Sequence, residues 1–147
     1  MNIPNRTGRI EVLEYPPVEN FFKGMSLYRN IRYITKERQN HLVNPPYGVR
    51  YPDLVIVNDT LVVVCEIGRE ATGLHLEQAL EHIGYANYIY IALPAWFAQQ
   101  ALEHPYVKRA GIGVLSLWEG KCYEVRYPIY YDIVNFELQS QVRCPCP

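Results

Sequence analysis

The chain lacks any apolar run long enough to cross a bilayer: the longest, Leu61 to Cys65 and Ile89 to Ala92, fall far short of the roughly 20 residues a spanning helix needs. It also lacks an opening stretch that combines a basic start, an apolar run and a small-residue cleavage site. Both absences argue against a membrane-bound or exported chain, and the expected location is cytoplasmic. Cysteine is scarce and poorly spaced for structural chemistry. Cys65 and Cys122 fall inside strand-like runs and are expected to be small buried hydrophobes. Cys144 and Cys146 are separated by a single residue, where structural zinc sites use about two to four. A disulfide framework and a zinc module are therefore set aside, and the Cys-Pro-Cys-Pro end reads as a disordered terminus. Repeats and low-complexity segments are absent too, which excludes a solenoid.

What is present is enough apolar material for one core, since 49% of the 147 residues are hydrophobic. The expected layout is an extended arm over residues 1–17, one domain over residues 18–126 and a polar tail over residues 127–147. The net charge of −1 hides an asymmetry: residues 1–50 carry eight Lys or Arg against four Glu, whereas residues 51–147 carry six against eleven acids. A basic first third beside an acidic remainder suits a segment that grips a polyanion next to a cation site. A solvated surface with chance clustering fits the same counts.

Along the chain, Pro16-Pro17 reads as a stop before a helix from about Val18 to Asn30, whose Val18, Phe21, Phe22, Met25 and Tyr28 recur at helical spacing. Ile31 to Thr35 alternates as a strand, and Lys36 to Tyr47 reads as a polar loop closed by Pro45-Pro46. Past the central hairpin, Leu74, Leu76, Leu80 and Ile83 mark one face of a helix that leads to a strand from Tyr88 to Leu93. Strand, helix, strand implies a right-handed crossover to a parallel neighbour. A helix from Ala95 to Glu103 follows, then strands from Val114 to Trp118 and from Lys121 to Arg126 joined at Glu119-Gly120. Gly111-Ile112-Gly113 is a turn without phosphate-loop spacing, and Tyr88, Tyr90 and Tyr123 read as packing residues inside strands. His75 and His82 lie seven residues apart, not the four of a helical ligand pair, and read as surface histidines.

The informative stretch is YPDLVIVNDTLVVVCEIGRE, residues 51–70. Leu54 to Val57 and Leu61 to Ile67 are β-branched runs separated by Asn58-Asp59-Thr60, a hairpin signal. With Asn58 and Asp59 as a two-residue loop, Asp53 and Glu66 become diagonal neighbours on one face, about 7–8 Å apart. A four-residue loop from Asn58 to Leu61 puts them directly opposite one another, and a three-residue loop puts them on opposite faces. Val55, Val57, Val62 and Val64 line one side, and Leu54, Ile56, Val63 and Ile67 the other, so helices are expected on both sides. Two carboxylates held together in an apolar sheet are costly unless a cation or protons neutralise them, which makes a Mg²⁺ or Mn²⁺ site the chemical reading. The blander reading is a strand-end Asp and a surface salt bridge from Glu66 to Arg69 or Arg50.

The order of helix, strand, Pro52-Asp53, hairpin, Glu66-Ile67-Gly68, a helix carrying Gln78 and Tyr85, and the strand Tyr88 to Pro94 resembles the PD-(D/E)XK nuclease superfamily over residues 18–126. The resemblance implies a restriction-endonuclease-like three-layer α/β/α fold with a central mixed sheet. It further implies a divalent-metal-dependent nuclease acting on nucleic acid, DNA ahead of RNA, with a homodimer as the usual arrangement of double-strand cutters. The metal ligands it implies are Asp53, Glu66 and the Ile67 carbonyl, with Glu19 assisting from the first helix and Gln78 from the crossover helix. One position departs from the pattern, because Gly68 stands where the family has lysine. No lysine occurs in residues 74–86, so Arg69, Lys23 and Lys36 are the basic groups left to substitute for it. An arginine suits phosphate better than water activation. The alternative implied by Gly68 is a degenerate module that binds nucleic acid or a protein partner without cleavage.

Overall fold

The computed structural model describes residues 9–31, 33–36, 42–44, 48–50, 52–68 and 79–133, and gives only the backbone for residues 9–14 and for most of the first three strands. Helix α1 (Arg9–Gly24) and a 3₁₀ turn (Ser26–Tyr28) precede β1 (Tyr33–Lys36), β2 (Leu42–Asn44), β3 (Gly48–Arg50), β4 (Leu54–Val57) and β5 (Val62–Ile67). After helical residues Ala79 and Leu80 come β6 (Tyr88–Pro94), α2 (Ala95–Leu102), α3 (Pro105–Ala110), β7 (Gly113–Trp118) and β8 (Lys121–Arg126). Six strands form one sheet in the order β1-β4-β5-β6-β7-β8, and β2 and β3 form a separate two-stranded sheet. β1, β4 and β5 run antiparallel, β6 and β7 continue parallel to β5, and β8 returns antiparallel. The fold is therefore α/β with a mixed sheet, and β6 lies parallel to β5 as a crossover between them requires. Among the described residues, no helix is long and apolar enough to cross a membrane.

The hairpin closes through Asn58. Its Oδ1 accepts from the N–H groups of Thr60 at 3.0 Å and Leu61 at 2.7 Å, its own N–H donates to the Leu61 carbonyl, and its Nδ2 donates to the Arg29 carbonyl. That side chain stands in for a turn and selects the four-residue loop, with Val57 opposite Val62 and Leu54 opposite Cys65. Both faces of the sheet are buried at the central strands β4, β5 and β6, as their largely apolar sequences require. Val55, Val57, Val62, Val64, Ile91 and Val114 pack beneath α2, α3 and residues 79–86; Leu54, Ile56, Val63, Cys65, Ile67 and Leu115 pack beneath α1 and Tyr28.

Four expectations need correction. Residues 9–17 are not an extended arm: α1 runs through Pro16 and Pro17. Each internal proline removes a backbone donor at a cost of about 3 kcal/mol, and the helix persists because Tyr15, Val18 and Phe22 put one continuous stripe into the core. Residues 36–47 are not all loop, since β2 and β3 pair across Pro45-Pro46. The helix before β6 does not reach Tyr85; it gives way after Leu80 to a turn that includes Gly84 at φ 96°. Residues 127–133 are not a free tail. Ile129 donates to the Gly111 carbonyl, Tyr131 donates to the Asn87 carbonyl, and Asn87 Nδ2 donates back to the Tyr131 carbonyl, strapping the segment across the α2 side. Residues 1–8 and 134–147, with Cys144 and Cys146, lie outside the described residues.

Candidate metal centre

The four-residue loop fixes the site. Because Leu54 pairs with Cys65, the next position of the ladder sets Asp53 opposite Glu66, and both carboxylates share the face of Val55 and Val64. Pro52 has no N–H to continue the ladder, and Asp53 Oδ2 instead accepts the Ile67 N–H at 2.8 Å. Gly68 carries the edge on, donating to the Ala92 carbonyl of β6 at 3.0 Å. Glu66 is only 5% exposed. Its carboxyl is raised to about 7: burial pushes it up, hydrogen bonds with Asp53 pull it down, and the charge of Glu81 pushes it up.

The partner that sequence reasoning missed is His82. It is 1% exposed, and its Nε2 lies 2.5 Å from Glu66 Oε2, so a proton must lie between the two groups. The turn after Leu80 aims it inward: the His82 N–H donates to the Ala79 carbonyl, and its own carbonyl accepts from Tyr85. The expectation of a surface histidine is therefore corrected. The available signal was its place four residues after Gln78, at the end of a helix that has to cover the Glu66 face.

The other anticipated residues do not all converge. Glu19 sits on α1, which packs over the opposite face of the sheet. The Ile67 side chain also points to that opposite face, and its backbone N–H is the group Asp53 holds. Lys23 is exposed near the end of α1. Gln78, Arg69 and His75 lie outside the described residues. Tyr90 is a packing residue, as expected, with its hydroxyl bonded to that of Tyr28 and donating to Glu124 at 2.8 Å. Tyr123, by contrast, is 48% exposed, which corrects its assignment to the core. Cys65 is buried and Cys122 half-buried; burial pushes both thiols up, Cys122 to about 12, which leaves them inert.

Among the described residues, no group of three or more His, Cys, Asp or Glu side chains is arranged to hold a metal ion. Magnesium does not require one, since it binds through one or two carboxylates and completes its shell with water and substrate oxygens. The Asp53–Glu66 pair fits that demand in kind and number.

Neither a family model nor a curated protein matches the chain. Among solved structures, it is similar to the SPO1766 protein of unknown function from Silicibacter pomeroyi, with a TM-score of 0.51 and 10% identity over 75% of this chain and 68% of that one. The likeness is one of fold.

Proposed function

We propose that this chain is a divalent-metal-dependent nuclease of the PD-(D/E)XK kind that hydrolyses phosphodiester bonds in nucleic acid, DNA ahead of RNA. The observation that carries the reading is Asp53 set opposite Glu66 on one face of a buried sheet, where unneutralised carboxylates are costly. The element order adds support: α1, the antiparallel β1-β4-β5 run, a crossover and parallel β6 follow the restriction-endonuclease-like order. Asp53 and Glu66 would hold Mg²⁺ or Mn²⁺, with the Ile67 carbonyl as a further donor. When bound, such an ion polarises the scissile phosphate and acidifies a water. Asp53 is oriented for this by the Ile67 N–H, and Glu66 by His82. Arg69 would meet phosphate, Gln78 would assist from the crossover helix, and the basic residues 29–50 would grip the backbone of the nucleic acid.

A second reading rests on Gly68, which is buried, has no side chain and ties its N–H to β6. With no lysine there, the module binds without cutting. Incubating the full chain with Mn²⁺ and single- or double-stranded DNA or RNA separates the two. Cleavage that Asp53→Asn and Glu66→Gln both abolish supports the enzyme. Cleavage only in Gly68→Lys supports the binding module. Neither cleavage nor binding by any variant rejects both.

A further inference from the structure

Both tryptophans of the chain are exposed, Trp96 by 70% and Trp118 by 60%, although this is a residue type that folding usually covers. Their positions are not scattered. Pro94 pairs with Leu117 in the parallel register of β6 and β7, so Trp96 follows two residues past one member of that pair and Trp118 one residue past the other. Chain geometry then holds their Cα atoms within roughly 16 Å of each other. The end of the sheet is the one that carries Glu66, because β5, β6 and β7 run in the same direction. The face is also shared: Val114 lies on the Glu66 side, and Ser116 and Trp118 alternate with the oppositely facing Leu115 and Leu117. Glu66 pairs with Ile91 and Ile91 with Val114, which places Trp118 about 17 Å from Glu66 across two strand spacings and four residues of rise.

β8 adds to the row. Lys121 stands directly opposite Trp118 and Tyr123 opposite Ser116, so an exposed ammonium and an exposed ring share the face of the indole. Ligands of open α/β sheets bind outside the carboxyl ends of the parallel strands, which is where this row stands. Flat, polarisable faces offered to solvent beside a cation suit unstacked bases on a phosphate backbone. A duplex hides those base faces. The turn also carries the acidic Glu119, so attraction for phosphate is weak here and stacking has to supply the binding.

We infer that Trp96 and Trp118, with Tyr123 and Lys121, form a stacking platform for single-stranded nucleic acid that leads to the Asp53–Glu66 end. The inference rests on the nuclease-fold reading and names the substrate form that reading leaves open.

The two indoles are the chain's own reporters. The full chain in EDTA is titrated with oligothymidylate and, separately, with an oligo(dA)·oligo(dT) duplex, following tryptophan fluorescence. The expected result is saturable quenching by the single strand, weaker quenching by the duplex, and a loss of affinity of about 5- to 100-fold in Trp96→Ala and in Trp118→Ala, restored by phenylalanine at either position. Undiminished single-strand binding by the double Trp96→Ala/Trp118→Ala variant, which keeps no tryptophan and is followed instead by the fluorescence anisotropy of a dye-labelled oligothymidylate, overturns the platform, as does tighter binding of the duplex by the parent. Quenching that follows protein concentration without oligonucleotide, and that both alanine variants abolish, overturns it in favour of a protein-facing surface. Cleavage assays on the same variants keep the two readings apart. Mn²⁺-dependent cutting that ignores the tryptophans defeats the platform alone, whereas single-strand quenching without cutting by the parent defeats the enzyme alone.

Discussion

A carboxyl and an imidazole in contact at 2.5 Å, both almost fully buried, make Glu66 and His82 the most consequential pair of residues in the described structure. His82→Leu would leave Glu66 buried without that partner, and the expected loss is about 3 kcal/mol in urea unfolding at pH 8. Glu66→Gln keeps a hydrogen-bonding group and should cost less. The same carboxyl sets a pH dependence whose sign is definite. Its folded-state value of about 7 lies above the ordinary 4.5, so the folded state holds the proton more tightly. The stability this group contributes is full below pH 4.5, falls as the pH rises, and is gone above about pH 7. Measured in EDTA, the parent should therefore lose stability relative to Glu66→Gln across that window. A constant difference between the two chains would show that Glu66 titrates alike in both states.

At the scale of elements, the strap of residues 127–133 depends on a glycine. Gly111 caps α3 at φ 69°, and a methyl group added there would lie 2.3 Å from the Ile129 side chain. Gly120 has a similar φ of 75° but opens onto space. Gly120→Ala should therefore cost about 1 kcal/mol, from backbone strain alone. Gly111→Ala should cost at least about 2 kcal/mol and expose the Tyr131 amide to hydrogen exchange, because the strap has to lift. Equal costs for the two variants would mean that the strap contributes nothing. The elements themselves were unequally legible in the sequence. β4, β5, β6, α2, β7 and β8 could be read because their apolar runs are bounded by turn residues or proline, and alternation alone assigned both faces of the hairpin. α1 was misread at its start because proline normally ends a helix, and only the burial of Tyr15 and Val18 in the core shows why it did not. His82 was legible only in part, for another reason: its place at the end of the covering helix could be seen, but its direction is set by a turn, and turns carry no periodicity. The strap was missed because its contacts pair residues such as Asn87 and Tyr131, far apart in sequence, through side-chain and loop hydrogen bonds.

For the molecule as a whole, the question is what neutralises the Asp53–Glu66 end. Half of the answer is internal: the Ile67 N–H holds one Asp53 oxygen and His82 contacts one Glu66 oxygen. Those partners stabilise the site without a cation, so the metal-free chain should unfold cooperatively. A divalent ion that binds only the folded state still adds stability by mass action, about 2.7 kcal/mol at a hundredfold excess over its dissociation constant. In a chain of this size that corresponds to a rise in Tm of roughly 5–11 °C. Mn²⁺ should raise the Tm of the parent by such an amount and leave Asp53→Ala and Glu66→Ala unmoved, whereas Glu19→Ala, altered on the helix over the opposite face, should still respond. Ca²⁺ and Mg²⁺ titrations would rank the site by ion size. Equal shifts in the parent and in both site variants would place the ion elsewhere and remove the chemical reason for pairing these two carboxylates. An Asp53→Ala response alone would identify Glu66, released from its neighbour, as the ligand. No shift in any chain would leave the Glu66–His82 proton as the means by which this sheet keeps its carboxylates neutral.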